Sequence, residues 1–209
     1  MVLSDCERVA EIRIRGWQTA YRGLMPEAYL DALSVAEDAA RRRERFGRGG
    51  GAIVNLVAER DGEVVGWSCH GPYRDDEARG DGVGSAELYA IYVDPERVGA
   101  GVGRALLTES IARCTAAGHE RMLLWVLEGN TRARRFYAQA GFGPDGGEEP
   151  FDVDGIAVPE VRYARTLTRP GAGTGARARS AGTSLRSRPF PCGRHGLRSK
   201  GRVRSATTR

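Results

Sequence analysis

Apolar positions along the chain change their period several times, and each change marks an element. Over residues 5–20, Val9, Ile12, Trp17 and Tyr21 follow a helical spacing among polar residues. Pro26 suits the first turn of a short second helix with Tyr29, Leu30 and Leu33 on one side. Residues 35–46, rich in Ala, Glu and Arg, predict a third helix, broken by the glycines from Gly47 to Gly51. Residues 52–59 and 63–70 read as strands of a hairpin about Asp61-Gly62. The polar run 71–85, with three Asp and four Gly, reads as a mobile loop. Residues 86–93 then predict a central strand, and 103–117 a helix closed by Gly118. Residues 121–127 form an apolar strand, and 130–140 a short helix ending at Gly141. Residues 151–154 and 158–166 predict the last hairpin, with Asp154-Gly155 at its turn. Hairpin strands followed by strand–helix–strand units imply an α/β (α+β) domain: a mixed sheet with helices on both faces.

Charge divides the chain where periodicity ends. The formal net charge of +5 averages two unlike regions. Residues 169–209 carry 11 basic residues and no acidic ones, which leaves 21 basic against 27 acidic in residues 1–168. The reading is a domain over 1–168 and an Arg/Gly/Ser-rich tail over 169–209, poor in aliphatic residues and expected to be disordered. The tail's charge would allow weak, salt-dependent, non-specific contact with nucleic acid. No apolar run approaches the roughly 18 residues of a membrane span, and the first residues lack the basic and apolar regions of a signal peptide. The expectation is a cytoplasmic protein with no membrane partner. Cys6, Cys69, Cys114 and Cys192 are scattered, and His70, His119 and His195 do not cluster, so neither a disulfide frame nor a metal site is expected.

One segment carries most of the chemistry: Glu87-Leu-Tyr-Ala-Ile-Tyr-Val-Asp-Pro-Glu-Arg-Val-Gly-Ala-Gly-Val-Gly-Arg-Ala-Leu-Leu107. A strand runs into a proline-marked turn, a loop with Gly99, Gly101 and Gly103, and the start of a helix. Glycines let a ligand approach the backbone, and a helix start adds unpaired N–H groups and the positive dipole end, so the loop reads as an anion site suited to a pyrophosphate. It is not a P-loop, because the only lysine of the chain is Lys200. It is not a Gly-x-Gly-x-x-Gly dinucleotide fingerprint either, because Arg104 and Leu106 stand where the third glycine is needed.

The segment resembles the acetyl-CoA-binding motif of the GCN5-related N-acetyltransferase superfamily, Gln/Arg-x-x-Gly-x-Gly/Ala. Aligned on Gly101 and Gly103, the first position falls on Val98, a departure from the family pattern, with Arg97 one residue earlier. A second stretch, Asn130-Thr-Arg-Ala-Arg-Arg-Phe-Tyr-Ala-Gln-Ala-Gly-Phe142, also resembles the family, and the likeness runs from about residue 5 to 167. It implies that acetyl-CoA is the co-substrate, with its pyrophosphate held by the backbone of Val98, Gly99, Ala100, Gly101, Val102, Gly103 and Arg104. It also implies that Ile91, Tyr92 and Val93 meet the pantetheine amides like an added strand, with Asn130 and Phe136 completing the cofactor site. Glu87, eleven residues before Val98, matches the family's general base, and Tyr137 its tyrosine acid beside the sulfur.

The implied reaction moves an acetyl group from CoA to a primary amine by direct attack, with no metal. The alternatives are a non-catalytic acyl-CoA-binding module and an acetyltransferase tethered to nucleic acid by its tail. Trp17 and Tyr21, one helical turn apart, are candidates for the acceptor pocket or for plain core. The acceptor, a small-molecule or peptide amine, is not legible, nor is the oligomeric state, for which a homodimer is one option. The acidic domain favours a cationic acceptor by steering.

Overall fold

A computed structural model describes residues 1–47, 52–74, 84–168 and 183–190. A short 3-10 turn, Leu3–Asp5, leads into α1 (Cys6–Ala20), α2 (Glu27–Asp31) and α3 (Val35–Gly47). The hairpin β1 (Ile53–Arg60) and β2 (Glu63–Pro72) follows, then β3 (Ser85–Val93), a 3-10 turn at Pro95–Arg97 and α4 (Val102–Ala116). β4 (Arg121–Leu127), α5 (Thr131–Gln139), β5 (Gly143–Val153), β6 (Ile156–Thr166) and β7 (Ser184–Phe190) complete the order. Pro26 stands at the N-cap of α2 rather than inside its first turn.

The seven strands form one sheet in the order β5-β6-β4-β3-β2-β1-β7. Every adjacent pair is antiparallel except β3 and β4, joined by the right length of chain for an α4 crossover and running parallel. Both Asp-Gly turns take positive φ at each residue: Asp61 at 55° with Gly62 at 82°, and Asp154 at 51° with Gly155 at 84°. That is the twist-matched hairpin turn their sequence calls for. Apolar clusters cover both faces. On one, Leu88 of β3, Leu124 of β4 and Leu107 of α4 pack with Phe142. On the other, α1 lays Cys6, Val9 and Ile12 over Val57, Trp67 and Ala90. This is the mixed sheet with helices on both faces that the element order implies.

Two departures from the sequence reading concern the sheet's edges. β5 begins at Gly143, eight residues before the expected start, in a stretch of Gly, Pro, Asp and Glu. As an outermost strand it tolerates Pro144 and Pro150, which can turn their missing donors to solvent. The second correction is to the tail. Residues 184–190, expected to lack structure, pair with β1 over seven rungs from Ile53↔Phe190 to Glu59↔Ser184. Leu185 packs beside Leu56, Val65 and Leu106, and the Arg186 guanidinium pairs with Glu59 and reaches Asp5 at 3.4 Å. A few apolar contacts, a complete ladder and an ion pair offset what composition alone disfavours. The rest of the tail and most of the 71–85 loop lie outside the described residues, as do Cys192 and His195.

Candidate active site

β3 delivers the chain to the glycine loop through Asp94. Its backbone N–H donates to the Val65 carbonyl at 3.0 Å, its carboxylate accepts from the Glu96 N–H at 3.1 Å, and Arg8 of α1 pairs with it. The root of the loop is therefore tied to β2 and α1. Beyond it, Val98 is exposed and the backbone takes left-handed φ at Gly99, 89°, and Gly101, 82°. A Cβ at either would meet nothing within 4 Å. Conformation, rather than crowding, selects glycine at these two positions, and the space they face is open. Gly103 differs: its φ is ordinary, and a Cβ would sit 3.5 Å from Phe136 and Val93, a normal contact.

α4 starts at this loop, with Gly101 as its N-cap and the first helical bond running from the Ala105 N–H to the Gly101 carbonyl at 3.0 Å. The N–H groups of Val102, Gly103 and Arg104 precede it and have no acceptor within the helix. They point with the positive end of the helix dipole toward the open loop. The Val102 side chain is buried and anchors the helix start, while Arg104 is exposed.

Beside the loop the sheet opens. β3 and β4 share only three rungs, Ser85↔Arg121, Ala86↔Met122 and Glu87↔Leu123. β3 stays paired with β2 up to Val93, and β4 with β6 up to Leu127. The two parallel strands thus diverge after Glu87, leaving backbone of Leu88–Val93 facing the gap without ladder partners. An irregularity opposite Cys69/His70 gives β3 an extra residue at Tyr89, which helps bend it away. Beyond this bulge Ile91 and Val93 pack toward α4, while Tyr92 turns to the α1 face.

Four aromatic residues meet where α1 crosses the mouth of the gap. The Trp17 indole N–H donates to the Tyr92 hydroxyl at 2.7 Å, and the Tyr21 hydroxyl lies 3.5 Å from it. Trp17 touches Tyr21 edge-on at 5.1 Å between ring centres and Phe151 of β5 at 6.1 Å. Tyr137 stands on α5 against Phe136 and Phe142. Its hydroxyl makes no hydrogen bond among the described residues. Burial, with the Tyr92 hydroxyl nearby, pushes its pKa well above that of a free tyrosine. Tyr21 is raised too, by burial first and then by Tyr92, Tyr137 and Glu160.

Glu87 is 1% exposed and faces Arg74, whose guanidinium takes both carboxylate oxygens, Nε at 3.0 Å and Nη2 closer. Glu87 lies at the last rung that β3 shares with β4, and Tyr92, whose hydroxyl influences Tyr137, is five residues further along β3. Asn130 caps α5 by accepting from the Ala133 N–H at 3.0 Å, and Phe136 packs near Gly103. Among the described residues, no group of three or more His, Cys, Asp or Glu is placed to hold a metal ion, and no helix is long and apolar enough to cross a membrane.

Sequence reasoning missed Arg74 as the partner of Glu87, because thirteen residues and a polar loop separate them. It also missed the Tyr92 hydroxyl, since only the backbone of that residue was singled out. No local signal announces either contact.

Residues 14–142 match the acetyltransferase (GNAT) family. The uncharacterized N-acetyltransferase YuaI of Bacillus subtilis is 31% identical over 160 residues, spanning 76% of this chain and 86% of its own. Rv2775 of Mycobacterium tuberculosis, named a probable N-acetyltransferase, is 27% identical over 169 residues, 79% of this chain and 91% of its own. A solved phosphinothricin acetyltransferase from Sinorhizobium meliloti, in complex with AcCoA, superposes with a TM-score of 0.59 at 26% identity, covering 83% of this chain and 91% of that one. With the family match over more than half of its length and the likeness to YuaI, the chain belongs to the acetyltransferase (GNAT) family.

Proposed function

We propose that this protein transfers an acetyl group from acetyl-CoA to a primary amine by direct attack. The observation that carries the reading is the left-handed glycine loop at the head of α4, set at the mouth of the gap between β3 and β4. The pyrophosphate lies on the N–H groups of residues 98–104, where no lysine is needed because the backbone and helix dipole supply the positive field. The pantetheine arm enters the gap and takes the unpaired backbone groups of Ile91, Tyr92 and Val93 as an added strand would. Asn130 keeps its capping bond and turns its amide N–H₂ to the arm, and Phe136 supports the loop from behind.

In the reaction the neutral amine nitrogen bonds to the thioester carbon, and the C–S bond then breaks. The oxygen charge that develops is met by a backbone N–H of the parted strand. Tyr137 gives its proton to the departing sulfur; its raised pKa keeps that proton in place until thiolate charge appears. The ammonium proton must leave earlier. Glu87 receives it through water rather than directly, because Arg74 occupies both of its oxygens. The acceptor is a small-molecule or peptide amine, approaching from the side of α1 and Trp17.

Calorimetry tests the loop. Acetyl-CoA binds the native protein with a micromolar to submillimolar Kd, while Gly101→Glu, which places a carboxylate where the pyrophosphate lies and strains a left-handed position, abolishes binding. Undiminished affinity in a folded Gly101→Glu protein would remove the loop from the site. Release of free CoA with a panel of amines then reads the transfer itself.

A further inference from the structure

The side chain of Tyr92 is fixed more closely than a strand that only lends its backbone requires. Its ring stacks on Trp67 of β2, 6.2 Å between ring centres and 12° from parallel. Gly16 of α1 lies against the same ring, where a Cβ would come 3.1 Å from Cδ1, tighter than an ordinary contact. Gly16 stands inside a helix at no left-handed φ, so the approach of Tyr92, and not backbone conformation, accounts for glycine there. The hydroxyl is fixed as well. An indole N–H can only donate, so the 2.7 Å bond from Trp17 makes the Tyr92 oxygen the acceptor and leaves it one lone pair and its own proton. The Tyr21 hydroxyl is 3.5 Å away, and either of the two can donate. With Tyr21 donating, the Tyr92 proton is free for another partner; with Tyr92 donating, its lone pair is. Tyr137 completes the group: burial first and then Tyr92 raise its pKa, and burial, Tyr92 and Tyr137 raise that of Tyr21.

Acetylation takes two protons from an ammonium. The first leaves before attack, toward Glu87. The second is shed once the C–N bond has formed, at the stage when the breaking C–S bond leaves sulfur in need of one. Resting on the proposed acetyltransferase reading, we propose that the Tyr92 side chain is a further catalytic residue and carries this second proton. The nitrogen gives its proton to the Tyr92 oxygen, the Tyr92 hydroxyl proton passes to Tyr137, and the Tyr137 proton goes to the departing sulfur. Both hydroxyls end as they began, the amide and the CoA thiol are neutral, and no outside base is consumed. No direct hydrogen bond joins Tyr92 to Tyr137, so that hand-over crosses one water. The bond from Trp17 polarises the Tyr92 hydroxyl as a donor, and the contacts with Trp67 and Gly16 hold it in place without reordering during the reaction.

Tyr92→Phe keeps the ring and removes the hydroxyl. CoA release by the full chain is followed with 2-phenylethylamine, 1,5-diaminopentane, lysine and a short peptide, and the fastest of these serves as acceptor. The variant loses roughly 10- to 100-fold in kcat with acetyl-CoA affinity held. The Tyr92→Phe/Tyr137→Phe double variant is no slower than Tyr137→Phe alone, because both hydroxyls lie on one proton path; a packing role for Tyr92 would multiply the two losses. The native protein supplies a check that needs no variant: single-turnover rates in mixtures of H₂O and D₂O bow with deuterium content, as they do when more than one proton moves in the step. Undiminished kcat in folded Tyr92→Phe, multiplying losses in the double variant, or a straight or flat dependence on deuterium overturns the relay and leaves the acetyltransferase reading standing. A native protein that acetylates none of the four amines overturns that reading and the relay with it, so the two failures are distinct.

Discussion

Tyr137 carries a hydroxyl free of hydrogen bonds among the described residues, on a helix whose other aromatic side chain, Phe136, is packed against the core. Tyr137→Phe therefore removes little packing and one proton. The expected outcome is a fall in kcat of roughly 10- to 1,000-fold with acetyl-CoA affinity held, as for loss of a general acid. Steady-state rates with calorimetry on the same protein check it, and unchanged turnover would return Tyr137 to the core. A second residue sets the pH response of stability. His70, on β2, is 2% exposed, and among the described residues neither ring nitrogen has a hydrogen-bond partner. Burial first, then the charges of Arg113 and His119, lower its pKa to about 4. Between pH 6.5 and 4 the unfolded chain binds a proton that the native ring refuses, so stability falls as pH falls through that window. Linkage puts the loss at about 3 kcal/mol. Denaturant titrations at pH 7 and pH 4.5 read it, and His70→Leu flattens the difference.

Among the elements, legibility followed how local the cause was. The Asp61-Gly62 and Asp154-Gly155 turns announce their hairpins because two adjacent residues fix both φ angles. α4 was visible from its glycine start and Gly118 end, and α5 from the Asn130 cap. The first half of β5 was not, because Gly143-Pro-Asp-Gly-Gly-Glu-Glu-Pro150 carries no strand period and is a strand only through pairing with β6. β7 was hidden for the same reason: its partner β1 is more than 120 residues away. The left-handed turns at Gly99 and Gly101 were legible from glycine chemistry, whereas the roles proposed for Glu87 and Tyr137 rest on the resemblance. The Glu87–Arg74 pair depends on sheet register and on the path of the chain after β2, which no short segment encodes.

For the whole molecule, β7 alters the expected effect of removing the tail. Composition alone predicts that truncation after Thr168 leaves stability unchanged. The structure predicts a loss, because β1 becomes an edge, Leu185 leaves its cluster, and Glu59 and Asp5 lose Arg186. An open edge also invites pairing between copies. The truncated chain should melt several degrees lower, since about 1 kcal/mol shifts a domain of this size by roughly 2–4 °C. It should also self-associate on sizing columns, with acetyl-CoA binding retained because the glycine loop lies elsewhere. A melting temperature equal to that of the full chain would show that β7 contributes nothing. Arg186 is committed to this edge, so any hold on nucleic acid falls to the other basic residues of the tail.

The three-rung ladder between β3 and β4 has a consequence for amide hydrogen exchange. Interior strands of a seven-stranded sheet ordinarily exchange only with global unfolding. Here alternate amides of Leu88–Val93 face a gap instead of a neighbour, so they should exchange early, as a fast row inside an otherwise slow sheet. Acetyl-CoA should slow that row and the amides of residues 99–104 together, while leaving the β1–β2 hairpin unaffected. The exchange pattern would then trace the path of the bound arm, one amide at a time, before any acceptor is known.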